Sequence, residues 1–267
     1  MRRIVVVATA LAVLAGAVSA FAATGGINTY TAHLKFSPNK AGSAKSPAAG
    51  GFTENYVASG TGGNRTAPLT DIKTTVYGLV SDGKDFPTCS KAKIAAAKSD
   101  TSCPKGALVA TGSIQATLGP ITDTSATAPG TAPCDPLLDV WNEGQGKVVY
   151  FFVDKGSHIC AGGAIPTGFV GPFEGTIKAV GKNLVMNTPI PASVSFPLAG
   201  VEGSLTNETL HWMKVTKKLK NGKTVAYGAS VGCKNGSRPY SVTFSAETAA
   251  GGQQESGTAT GTQKCTK

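Results

Sequence analysis

Tyr30-Thr31-Ala32-His33-Leu34-Lys35-Phe36 sets Tyr30, Ala32, Leu34 and Phe36 against polar neighbours at every second position. Side chains alternate across a strand, so this period lays one face on a core and the other in water, with His33 on the wet face. The alternation returns late in the chain, where Tyr240, Val242, Phe244 and Ala246 interleave with Ser241, Thr243, Ser245 and Glu247. Between the two, Val148-Val149-Tyr150-Phe151-Phe152-Val153 is apolar on both faces, which marks a central strand covered on each side.

Outward from these three segments, strand signals recur at 72–79, 108–118, 173–180, 184–186, 192–198, 209–216 and 256–265. Gly, Pro and Asn clusters separate them. Residues 137–141 and 147–154 read as a hairpin, and Asn221-Gly222 carries the signature of a type I′ turn joining 209–219 to 223–233. Residues 91–98 read as a short helix with Ser90 as its N-cap, since a serine hydroxyl accepts from the free N–H groups of a first turn. The stretch 37–71, rich in Gly, Ala, Ser, Pro and Asn, reads as a long flexible loop or at most an edge strand around 52–57. The expected fold is all-β: an antiparallel β-sandwich or related barrel with one short helix and three disulfides.

Met1-Arg2-Arg3 opens the chain, an uncharged apolar run follows to Val18, and Ala20-Phe21-Ala22 supplies an A-x-A cleavage pattern. Residues 1–22 therefore read as a signal peptide and 23–267 as a single exported domain. The apolar run is shorter than the roughly 20 residues of a spanning helix, and no second membrane segment is expected. Six cysteines in an exported chain imply disulfides. The expected pairs are the local ones, Cys89 with Cys103, Cys134 with Cys160 and Cys233 with Cys265, each bracketing one small unit. Metal is not expected, because C-x-x-C is absent and His33, His158 and His211 stand apart. No cofactor motif is present.

The formal charge is +10 although only 15% of residues are charged. Without basic clusters interleaved with aromatics, nucleic acid is not an expected partner. Anionic cell-envelope polymers or glycans are. The one cationic cluster is Lys214, Lys217, Lys218, Lys220 and Lys223 around Asn221-Gly222. It reads either as solvation of an exposed turn or as a contact for polyanions.

Gly228-Ala229-Ser230-Val231-Gly232 matches the nucleophile elbow of serine hydrolases. That motif needs a strand turning into a helix and a histidine further on, and this chain has neither after Ser230. Gly222-Lys223-Thr224 lacks the first glycine of a phosphate loop. Asp135, Asp139, Glu143 and Asp154 cluster around one hairpin and are the carboxylates to test for glycosidase spacing. Trp141 and Trp212 have apolar neighbours and read as core rather than as sugar platforms.

Ser37-Pro38-Asn39-Lys40-Ala41-Gly42, Phe86-Pro87-Thr88-Cys89-Ser90, Cys103-Pro104-Lys105-Gly106 and the closing Thr262-Gln263-Lys264-Cys265 together resemble a group of exported, cysteine-braced actinobacterial β-proteins. The resemblance implies export and a disulfide-braced β-fold, and it carries no catalytic residue across. The expected function is a non-enzymatic structural or adhesive protein of the cell envelope or extracellular space. The alternatives are a binding module for envelope glycans or anionic polymers, and a secreted hydrolase. Exposed coplanar aromatics would favour the glycan module, and two carboxylates facing each other in a cleft the hydrolase.

Overall fold

The computed structural model describes residues 19–166, 170–248 and 252–266. The greater part of the expected signal peptide, residues 1–18, lies outside them. The strands are β1 (Ser19–Phe21), β2 (Ala23–Thr24), β3 (Asn28–Ser37), β4 (Ala48–Ala49), β5 (Gly51–Gly60), β6 (Leu69–Tyr77), β7 (Leu79–Ser81), β8 (Leu108–Pro120), β9 (Ala132–Cys134) and β10 (Leu137–Gly144). They continue with β11 (Lys147–Val153), β12 (Phe173–Val180), β13 (Asn183–Pro189), β14 (Val201–Trp212), β15 (Thr216–Lys218), β16 (Thr224–Ala226), β17 (Gly228–Ser230), β18 (Ser237–Glu247) and β19 (Gln254–Lys264). Helix α1 (Lys91–Ala97) and the single turn α2 (Ala192–Ser195) complete the fold.

One antiparallel sheet runs β1-β19-β18-β6-β13-β12-β11-β10-β8-β14-β5-β3-β2, with β9 on β8. It curls until β3 lies beside β19 and is nearly closed. β3 and β19 share no ladder of their own: the stretch 19–24 bridges them, β1 pairing with β19 and β2 with β3, and two side chains complete the seam. At one end the Glu255 carboxylate accepts from the backbone N–H groups of Ile27 and Asn28 and from the Tyr30 hydroxyl. At the other, the Gln263 side chain both accepts from the Phe36 N–H and donates to its carbonyl. Two polar side chains thus satisfy backbone groups that an open edge would leave free. The alternating strands behave as their period demands: β3 buries Tyr30, Ala32, Leu34 and Phe36, and β18 buries Tyr240, Val242, Phe244 and Ala246.

β11 is central and covered twice. Val148, Tyr150 and Phe152 enter the barrel core, while Val149 and Phe151 pack outside with Trp141, Ile94, Cys89 and Cys103. Helix α1 supplies that outer cover, and the Ser90 hydroxyl accepts from the Lys93 N–H as an N-cap. All three disulfides form in the expected pairs, Cys89–Cys103, Cys134–Cys160 and Cys233–Cys265. The first clamps α1 to the wall. The second closes the open end of the β10–β11 hairpin.

Four local expectations are corrected. Residues 37–71 are not one long flexible loop with an edge strand, because β5 pairs with β3 on one side and β14 on the other. Its low hydrophobicity misled: Glu54, Tyr56 and Ala58 face the interior, and a glutamate there breaks the apolar alternation. Residues 192–198 hold the turn α2 rather than a strand. Residues 209–219 and 223–233 do not form one long hairpin either, since β15 and β16 are a separate short ribbon. Its turn is not type I′: only Gly222 has positive φ (+81°), after a Gly222 N–H to Leu219 carbonyl bond. The type I′ turn is instead at Gln145-Gly146, with φ of +53° and +75°, between β10 and β11.

Candidate functional site

The interior of the barrel divides in two. One part is filled by aromatic rings: Tyr30 stacks on Phe244 at 4.7 Å, and Tyr56 meets Phe244 edge-on at 5.5 Å. In the other part the side chains leave a cavity of about 100 Å³. Its walls include Ile72 of β6, Ile114 of β8, Leu138 of β10, Phe173 of β12 and Val194 of α2. Five partly exposed lining residues, Ile165, Val170, Ile190, Val194 and Pro197, belong to the connections capping this end.

One ionisable carboxyl lines this space, that of Glu208. Its position follows from a β-bulge. Along β14 the register with β8 runs Leu205 to Ala116 and then Asn207 to Gln115, so Thr206 is the extra residue. Before the bulge, Gly203 and Leu205 face the cavity and Glu202 and Ser204 face away; after it, Glu208, Leu210 and Trp212 are buried inside. A single extra residue exchanges the faces of a strand. Without it Glu208 would point out of the barrel.

Glu208 is 9% exposed, and no donor among the described residues reaches its carboxyl oxygens. The diagonal neighbour on β5, Glu54, is 3% exposed but fully served: Tyr56 donates to it at 2.6 Å and the Trp212 indole at 3.0 Å. Burial pushes Glu54 up to about 7 against the pull of those two bonds. Burial, and then the charge of Glu54, push Glu208 up to about 8. Two carboxyls this close in an apolar interior hold protons together, and their titration belongs to the pair. The other polar lining groups are committed, Tyr150 to Thr188 at 2.9 Å and Ser195 to the Leu69 carbonyl at 2.7 Å.

The residues singled out in the sequence lie elsewhere. Lys214, Lys217, Lys218, Lys220 and Lys223 are all exposed on and beside the β15–β16 ribbon. No carboxylate among the described residues forms an ion pair with them, and Lys217 donates to the Asp85 carbonyl. Ser230 is fully buried, donating to the Ala41 carbonyl and accepting from the Arg238 guanidinium, so it fixes a loop and reaches no substrate. Trp141 and Trp212 are both core, and no aromatic ring whose side chain is described is exposed.

Of the four hairpin acids, Asp154 is exposed just past β11, and the other three sit in separate surroundings. Glu143 accepts from the Lys91 N–H at the start of α1. Asp139 is raised to about 7 by burial and a hydrogen bond with Asp100, which also receives the Trp141 indole N–H. The Asp135 carbonyl holds the His158 ring at 3.1 Å. Asp139, Lys155, His158 and His211 line an open polar groove on the outer face, and His33 is exposed on β3. Sequence reasoning missed Glu54 and Glu208. The available signal was a glutamate at an inward position of each of two apolar-alternating strands. No protein-family model, no curated protein and no solved structure matches this chain, so a functional reading has to stand on the geometry of the barrel.

Proposed function

We propose that this is a non-enzymatic binding protein of the extracellular space or cell envelope, whose barrel holds a small apolar molecule. The observation that carries the reading is the interior cavity of about 100 Å³ with apolar walls. Left empty, a space of that size costs on the order of 2 kcal/mol in missing contacts, at about 24 cal/mol per Å³. Apolar cavities stay dry and take up small apolar guests, benzene filling one of about 150 Å³. A sugar is a poor occupant, because it would bury many hydroxyls with Glu208 alone free to pair with them. That argument, and the absence of exposed aromatics among the described side chains, favours a small hydrophobic guest over a glycan. The cysteine pairs and the A-x-A sequence support export. No helix among the described residues is long and apolar enough to cross a membrane.

The test is a titration with 3-methylbutan-1-ol, followed by the methyl resonances of Ile72, Ile114 and Leu138. Saturable shifts confined to these groups, abolished in a folded Ala116→Phe variant that fills the cavity, are the expected result. Unshifted methyl resonances at millimolar alcohol would remove the reading.

A second reading rests on the β15–β16 ribbon, where five lysines are exposed without an acidic partner. It has the ribbon rest on anionic envelope polymers, each lysine near such a surface contributing about 1 kcal/mol.

A further inference from the structure

Among the described residues Glu208 is the one uncommitted polar side chain in the cavity, and it is an acid. Its neighbours decide what it lacks. The titratable groups that face it are Glu54 and Tyr56 on β5 and Tyr150 on β11. β6, β8, β10 and β12 line the cavity with apolar groups, and α2 adds only Val194 and the committed hydroxyl of Ser195. Among the described residues no Lys, Arg or His lines it. The same strand shows what a satisfied buried glutamate requires, since Glu202 is met by the Arg65 guanidinium at 2.9 Å. Buried carboxylates are paired or they give up their charge. Among the described residues Glu208 has no cation to pair with, and it borders open space.

We infer that the occupant of this cavity is a small aliphatic amine, whose ammonium group completes Glu208 as Arg65 completes Glu202 while its hydrocarbon body lies against Ile72, Ile114, Leu138 and Phe173. The inference rests on the apolar-cavity reading above and narrows it to one ligand class. Size sets the limit. A space of about 100 Å³ is smaller than the benzene-binding cavity of about 150 Å³, which restricts the body to about five carbon atoms. An ammonium entering from water requires Glu208 to release its proton to solvent, so the bound state is a carboxylate facing an ammonium. Uptake of the amine is therefore linked to loss of one proton. Its affinity rises about tenfold per pH unit while Glu208 is protonated in the free protein. A neutral guest of the same shape displaces no proton.

The experiment compares 3-methylbutylamine with 3-methylbutan-1-ol by calorimetry at pH 6 and pH 8, with the same methyl resonances locating the guest. The amine is expected to bind at least tenfold tighter at pH 8 than at pH 6, with about one proton released at pH 6 and about half of one at pH 8. The alcohol's affinity should change by less than threefold. Glu208→Gln should weaken the amine at least tenfold and leave the alcohol nearly unaffected. The wild-type pH comparison decides the matter even if that variant does not fold. Alcohol binding with no pH-dependent advantage for the amine would overturn the inference and leave the apolar-cavity reading standing. Failure of both guests to perturb the cavity resonances would overturn both.

Discussion

Glu202 and Glu208 are carried by one strand, and both are buried, yet they sit in opposite electrostatic situations. Glu202 is on the outer side of β14, where Arg65 meets it and also donates to the carbonyls of Pro120 and Ser125. Glu208 is on the inner side, beside a second acid and an apolar space. The bulge at Thr206 is what separates them. The difference teaches how to tell a buried charge that holds a structure together from one held for something else. The first has its partner in the chain; the second has room where a partner would be.

The largest expected effect comes from breaking the satisfied member. Arg65→Ala leaves Glu202 buried without a cation and should lower unfolding free energy by about 3–5 kcal/mol in urea titrations. If Arg65→Ala is tolerated within about 1 kcal/mol, the pair is not the structural half of the comparison.

Next in size is the pH dependence set by the unsatisfied member. Glu54 and Glu208 have folded values raised above the ordinary 4.5 of a glutamate, to about 7 and about 8. Above about pH 4.5 the unfolded chain releases protons that the folded one keeps, so stability falls as pH rises through this window. Stability should therefore fall steadily between pH 5 and pH 9, with Asp139 acting in the same direction. Glu208→Gln should flatten the profile of Tm against pH. A profile as steep as that of the wild type would place the proton uptake elsewhere.

Tyr56→Phe removes the 2.6 Å bond to Glu54 without opening a cavity. It should cost about 1–2 kcal/mol at pH 8. At pH 5, where Glu54 is neutral, the cost should be smaller, because hydrogen bonds to a charged group are the stronger ones. Equal costs at both values would mean that Glu54 does not change charge between them.

The smallest effect on stability belongs to the outer ribbon. Replacing Lys217, Lys218 and Lys220 by Gln should leave unfolding free energy within about 0.5 kcal/mol. If the ribbon rests on polyanions, the same substitutions should weaken co-sedimentation with anionic vesicles, and wild-type binding should fall steeply with salt. Equal retention at low salt would reduce the lysines to a solubility device.

Much of the framework could be read without a structure, and the site could not. The alternations at Tyr30–Phe36 and Tyr240–Ala246, the apolar run of β11, the Ser90 cap and the three cysteine pairs are local signals, and local signals survive folding. Whether strands make two layers or one curled sheet depends on closure at the seam, where β1 and β2 join β19 to β3 and Glu255 and Gln263 reach β3 from the far end of the chain. β5 was hidden because Glu54 interrupts its apolar face, and Glu208 because the Thr206 bulge shifts inward positions from odd to even numbers. Both glutamates break a local rule inside the barrel, and Glu208 does so where the barrel is unfilled. The Asn221-Gly222 signal was sound as a turn and wrong in type, since a glycine following a type I turn uses the same residues.

The most direct measurement is the carboxyl titration of Glu208, followed by its side-chain ¹³C resonance in the ligand-free protein and again with 3-methylbutylamine. The expected result is a midpoint near 8 in the free protein, shared in two steps with Glu54, and a carboxylate already formed at pH 6–7 when the amine is bound. A Glu208 that titrates near the ordinary 4.5 in both samples would contradict it.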